Sequence, residues 1–258
     1  MLLAVDIGNT NITLGLFEGE TLRVTARLAT EHKKTADQYA VEIRDVMDLH
    51  GWDSGKIDSC MISSVVPDVG NAVLKGVERL CRIRPLYLEP GTKTGLSIRI
   101  DNPAQLGADL VAGAVGARHR YPMPCIIIDM GTATTLSVLD ENGAFLGGTI
   151  AAGVRLTLKA LAENTSQLPS IHIEAPKSVI GRNTEDSMKS GLVLGTAAML
   201  DGLIDRTQAK LGRTATVVAT GGLSREIIRH CTHDICYDEN LLLDGLRLIY
   251  EKNRPQSS

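Results

Sequence analysis

Leu2-Leu3-Ala4-Val5-Asp6-Ile7-Gly8-Asn9-Thr10 and Cys125-Ile126-Ile127-Ile128-Asp129-Met130-Gly131-Thr132-Ala133 carry one pattern twice. Each is an apolar run, an aspartate, an apolar residue, a glycine and a polar turn. Each leads at once into a second β-rich run, Asn11–Phe17 and Thr134–Leu139. Turn residues follow in both halves (Glu18-Gly19-Glu20 and Asp140-Glu141-Asn142-Gly143), then a third run, Leu22–Leu28 and Phe145–Ile150. Asp6 and Asp129 stand 123 residues apart in a chain of 258. A three-strand unit used twice at half-chain spacing predicts an α/β protein of two similar domains, residues 1–118 and 119–258.

Working outward, apolar residues at Ala40, Val41, Ile43, Val46, Met47 and Leu49 have helical spacing over Ala36–Leu49. Ser59–Val66 reads as a buried strand, and Asp68 as the N-cap of a helix reaching Cys81. Leu86–Leu88 reads as a short strand and Gln105–His119 as a helix. In the second half Val154–Glu163 reads as a helix. Asn183 caps a long helix running to about Leu211, Ala215–Ala219 is a strand, Ser224–Cys231 a helix and Asn240–Asn253 a closing amphipathic helix. A polar tail, 254–258, follows.

Composition excludes several classes. Hydrophobic residues make up 43% and charged residues 22%, enough for a packed core. The formal net charge of −3 and an aromatic content of 3% speak against a nucleic-acid binder. The longest stretch without Asp, Glu, Lys or Arg is 142–154, too short to span a membrane. The N-terminal run meets Asp6 too early for a signal peptide. Five cysteines without a Cys-x-x-Cys motif suit reduced thiols, so the expected location is the cytoplasm, with no nucleic-acid or membrane partner.

The paired Asp-x-Gly turns carry the chemistry. A glycine at such a turn lets backbone N–H groups approach an anion, and Thr or Asn side chains add donors. An aspartate at the strand end can hold Mg²⁺ beside phosphate oxygens. Two facing turns would clamp a polyphosphate. No GxxxxGK[ST] loop and no Gly-x-Gly occurs, which excludes a P-loop and a Rossmann fingerprint. Thr220-Gly221-Gly222 is either a simple turn or a place where glycines pass close to a nucleobase or ribose. Asp109, flanked by Gly107, Ala108 and Leu110, is by pattern either an ordinary first-turn helix acid or a base that accepts a proton. His230, Cys231, His233 and Cys236 straddle a helix end, which scatters them as metal ligands. Gly191, Gly195, Ala198 and Gly202 form a small-residue ridge, fit for packing within the domain or across a dimer.

Taken together and in order, Asp6-Ile7-Gly8-Asn9-Thr10, Gly107-Ala108-Asp109, Asp129-Met130-Gly131-Thr132-Ala133-Thr134-Thr135, Leu146-Gly147-Gly148-Thr149-Ile150 and Ile180-Gly181-Arg182-Asn183-Thr184 resemble type III pantothenate kinases, within the acetate and sugar kinase, Hsp70 and actin superfamily. The resemblance implies two ribonuclease-H-like domains with a cleft between them. It implies ATP-dependent phosphorylation of pantothenate to 4'-phosphopantothenate, the first step of coenzyme A synthesis. It implies that Asp6, Ile7, Gly8, Asn9, Thr10, Asn11, Ile12, Thr13 and Thr132 line the ATP phosphate site, with Asp6 near Mg²⁺. By the same resemblance Asp129 helps hold a monovalent cation (K⁺ or NH₄⁺), Asp109 is the catalytic base, and Ile100, Gly107, Ala108, Leu110 and Thr184 border pantothenate. Thr184 would reach it from the partner of a homodimer whose active site lies at the interface. Two residues depart from the family pattern, Leu110 where Arg is usual and Ile100 where Tyr is frequent. Those departures keep open a different small alcohol as acceptor, or a nucleotide-binding regulatory homologue.

Overall fold

The computed structural model describes residues 1–254, and the rest of the expected polar tail lies outside them. The described chain forms two compact units. The first comprises Met1–Leu96, Asp101–His119 and the segment from Asn240 onward; the second comprises Ser97–Ile100 and Arg120–Glu239.

The first unit is a five-stranded sheet of β1 (Leu2–Ile7), β2 (Asn11–Glu18), β3 (Thr21–Ala29), β4 (Ser59–Ser64) and β5 (Leu86–Tyr87), in the order β3-β2-β1-β4-β5. β1 to β3 form an antiparallel meander, and β4 and β5 add in parallel. One face, built from Leu3, Val5, Ile7, Ile12, Leu14 and Ile62, is buried under α1 (Ala36–Leu49) and α2 (Pro67–Cys81). Each such aliphatic side chain contributes about 1.5–3 kcal/mol by leaving water. α1 starts at a capping box, in which the Thr35 N–H donates to Gln38 Oε1 (2.8 Å) and the Gln38 N–H to Thr35 Oγ1 (3.4 Å). α2 starts one residue before the expected cap. Pro67 takes the first helical position, where its missing N–H costs nothing, and Asp68 becomes a first-turn acid rather than the cap.

The opposite face receives α8 (Leu241–Asn253), whose Leu243 lies against Gly15 of β2. α3 (Ala108–Arg120) crosses α8 at a glycine on each helix. A Cβ on Gly116 would strike the Leu241 carbonyl, and one on Gly245 would strike Ala112 O. A single boundary after residue 118 assigns α8 to the second half. Instead it belongs with the first sheet, because its apolar stripe (Leu243, Leu246, Ile249) is buried there.

The second unit repeats the design. β6 (Cys125–Met130), β7 (Ala133–Leu139), β8 (Phe145–Ala152), β9 (Thr216–Thr220) and β10 (Cys236–Tyr237) form a sheet of order β10-β9-β6-β7-β8. Read from its other edge, this is the strand order of the first sheet. Its buried face packs against α4 (Val154–Asn164), α6 (Gly195–Leu211) and α7 (Ser224–Ile228). The long helix after Asn183 is not uniform: α5 (Thr184–Lys189) passes through one π turn, Ser190–Leu194, before α6. Asn183 caps it as expected, its Oδ1 accepting from the Asp186 N–H at 2.8 Å.

Candidate active site

In the first unit the β1–β2 turn is held from behind. The Gly8 N–H donates to Asn11 O (2.9 Å), Thr30 Oγ1 donates to Gly8 O (2.7 Å), and the Thr30 N–H donates to Thr10 O (3.0 Å). Thr30, at the end of β3, escaped the sequence reading because its role depends on the meander closing. Ile7 and Ile12 are buried in the core, so their possible contribution to a phosphate is backbone alone. Asn9, Thr10 and Asn11 are exposed.

Register fixes what stands beside Asp6. Its partners are Thr13 on β2 and Ser63 on β4. Paired residues on adjacent strands project to one face, so a polar row, Thr13–Asp6–Ser63, crosses the sheet on the α8 side. In the second unit Asp129 has Thr135 on β7 and Thr220 on β9 as partners. The duplicated sequence has therefore produced a duplicated site feature, an aspartate at a strand end flanked by hydroxyl side chains. Around Gly221, just beyond this second row, oxygen atoms converge. A Cβ there would lie 2.7 Å from both Asp129 Oδ1 and Met130 O. The neighbouring turn is fixed by Gly131 N–H to Ala133 O (3.0 Å) and Gly153 N–H to Thr132 O (3.1 Å), leaving Thr132 exposed.

Asp109 opens α3, and its Oδ1 accepts the Leu110 N–H at 2.8 Å. Gly107 is needed here for space: a Cβ would run into that same Oδ1. Burial raises the Asp109 carboxyl above the usual carboxylate range, partly opposed by the backbone N–H groups of Leu110 and Asp109 itself. A carboxylate made more basic by desolvation, yet aimed by a fixed donor, suits proton acceptance. Gly107, Ala108, Asp109 and Leu110 thus stand together in the first unit, whereas Ile100 and Thr184 belong to the second.

Ile100 ends a segment aligned with β8, where the Arg99 N–H donates to Phe145 O and the Phe145 N–H to Ser97 O, both at 2.8 Å. Thr184 lines a cavity of about 730 Å³ with Thr157, Leu161, Leu168, Arg182 and Met188. The irregular segment before α5 is tied down by Lys189, whose Nζ meets Glu174 at 2.6 Å and Glu185 at 2.7 Å. Of the His/Cys cluster, Cys231 Sγ faces Ala197 O (3.8 Å) and His233 Nε2 pairs with Asp205 (2.9 Å). No group of three or more His, Cys, Asp or Glu is gathered to hold a metal among the described residues.

Comparisons with known proteins agree in direction. The family model described as type III pantothenate kinase matches residues 2–206. The type III pantothenate kinase of Solibacter usitatus (strain Ellin6076) is 38% identical over 257 residues, covering 100% of this chain and 98% of that protein. That of Myxococcus xanthus (strain DK1622) is 42% identical over 253 residues, covering 98% and 99%. Among solved structures, a putative Baf family transcriptional activator from Campylobacter jejuni superposes with a TM-score of 0.65 at 20% identity, covering 97% of this chain and 98% of that one. A putative 2-dehydro-3-deoxygalactonokinase from Sinorhizobium meliloti gives 0.60 at 12% identity, covering 100% and 98%. Those two likenesses concern the fold alone.

Proposed function

The chain belongs to the type III pantothenate kinase family, and from that premise we propose how its residues divide the work of its reaction. It is an ATP-dependent kinase that phosphorylates pantothenate, the opening step of coenzyme A synthesis. The observation that carries the division of roles is the pair of rows, Thr13–Asp6–Ser63 and Thr135–Asp129–Thr220, each beside a glycine turn.

The turn from Gly8 to Thr13 in the first unit and the turn around Thr132 in the second each present backbone N–H and hydroxyl donors of the kind ATP phosphate oxygens take. A divalent ion fits Asp6 in the manner of Mg²⁺, which takes one or two carboxylates and shares substrate phosphates rather than a protein cage. An Mg²⁺ ion held beside Asp6 would supply charge neutralisation to the transferring phosphates. The oxygens around Gly221, with Asp129 among them, are of the kind a monovalent cation takes. Asp109 accepts the proton of the pantothenate hydroxyl as that oxygen bonds to the γ-phosphorus. The bond from the γ-phosphorus to the bridging oxygen breaks, and ADP leaves. Gly107, Ala108 and Leu110 of the first unit border the acceptor.

A homodimer is part of this reading. Gly191, Gly195 and Gly202 have open space where a Cβ would be, so among the described residues nothing packs closely on these three positions. In a dimer packed through this ridge, Thr184 would be offered to the partner's acceptor site, the role the family resemblance implies for it. The five cysteines are all unpaired, which suits the cytoplasm. No described helix is long and apolar enough to cross a membrane.

The roles are tested by Asp6→Asn and Asp129→Asn. Each should lower turnover by about a hundredfold or more while the circular dichroism spectrum is kept. Near-wild-type turnover in both would overturn the assignment.

A further inference from the structure

Beyond these roles, the geometry points to Ser63 as a positioning residue for Asp6, its hydroxyl donating to the Asp6 carboxylate when Mg·ATP is bound. This rests on the assignment of Asp6 to the phosphate site. Ser63 is fully buried (0% exposed), and its Oγ has no hydrogen-bond partner. The next residue makes the contrast. Ser64 Oγ accepts the Val66 N–H and donates to Val66 O, both at 3.0 Å, and so shapes the turn into α2. Ser63 has no such local task, and a buried hydroxyl without a partner is disfavoured. What it does have is a place in register with Asp6 on the same sheet face. Adjacent strands lie about 4.8 Å apart, so rotation about χ1 of Ser63 and of Asp6 can bring the hydroxyl within hydrogen-bonding reach of the carboxylate. An ionised carboxylate only accepts, and the serine has a proton to donate.

The second unit offers a related case on the opposite neighbour. Thr135 of β7 is in register with Asp129, and its Oγ1 is also buried without a partner, whereas the counterpart of Ser63 by strand order is Thr220 of β9. In both units a hydroxyl beside the aspartate is held in reserve. Fixing the Asp6 rotamer would set where its oxygens meet the ion or the ion's waters, a requirement of positional catalysis rather than of folding.

The test is Ser63→Ala, Asp6→Asn and the double variant. Ser63→Ala should bind Mg·ATP about tenfold more weakly by calorimetry, and lose at least about tenfold in kcat/KM for ATP. KM for pantothenate should stay unchanged. Its melting temperature without ligand should not fall, because the substitution removes an unpaired buried hydroxyl. In the Asp6→Asn background, Ser63→Ala should cost nothing further. Mg·ATP affinity and kcat/KM within twofold of wild type would overturn the inference, as would a loss that adds fully to that of Asp6→Asn. If Asp6→Asn itself retains full activity and Mg·ATP affinity, the fault lies with the phosphate-site assignment and not with Ser63 alone.

Discussion

Replacing Asp109 by Asn removes a charge and almost nothing else. The amide has the size of the acid, and its oxygen can still accept the Leu110 N–H now held at 2.8 Å. α3 should therefore start unchanged. The catalytic cost follows from the role: a positioned general base contributes about 10²–10⁴-fold, equivalent to about 2.7–5.4 kcal/mol of barrier at 1.36 kcal/mol per decade. Stability should move the other way. Burial raises the Asp109 carboxyl, so its ionised form is less favourable folded than unfolded. With both states protonated, below the unfolded value, the group contributes nothing. As pH rises through the raised folded value the fold is progressively disfavoured. At neutral pH the Asn variant should melt at or above the wild-type temperature. The assay is steady-state ADP release against pH, with scanning calorimetry alongside. Wild-type turnover should fall on the acid side at a pH above the ordinary aspartate value of 3.8, and that limb should vanish in the variant. A variant turning over within tenfold of wild type, or one that loses its fold at neutral pH, would refute the base assignment.

Gly116→Ala should separate α3 from α8. Overpacking costs about 1–3 kcal/mol and is only partly offset by the better helix propensity of Ala, about 1 kcal/mol, so the melting temperature should drop by several degrees. Leu110→Arg adds a donor fork beside the acceptor; KM for pantothenate should fall about tenfold or more with kcat for ATP turnover little changed, as steady-state kinetics would read. Gly195→Glu places a charge on the open ridge, and sedimentation should show a monomer with little activity; an active monomer would refute the dimer reading.

Much of this architecture could be read locally. An apolar run, an aspartate and a glycine turn are contiguous signals, and their repetition after 123 residues predicts two similar α/β domains. That both sheets share one strand order is set by the parallel pairing of β4 and β9, which no contiguous signal announces. Features resting on distant pairing were not legible. Ser63 looks like the end of an apolar strand until parallel pairing sets it beside Asp6. Thr30 gains its task only when the meander folds back on the Gly8 turn. The place of α8 follows from Gly116 and Gly245, whose use as a helix crossing cannot be seen until the helices meet. The π turn at Ser190–Leu194 breaks a helix whose sequence carries no proline to announce it. Asp68 carries the sequence signature of a cap, yet Pro67 takes the first helical position ahead of it because a proline has no N–H to leave unsatisfied there.

The most direct measurement combines ATP and pantothenate with the full chain and follows both ADP and pantothenate, identifying the product by mass. The account predicts one ADP formed per pantothenate consumed, and a product heavier by a single phosphoryl group. ATP binding without pantothenate-dependent ADP formation, at any pantothenate concentration, would contradict it.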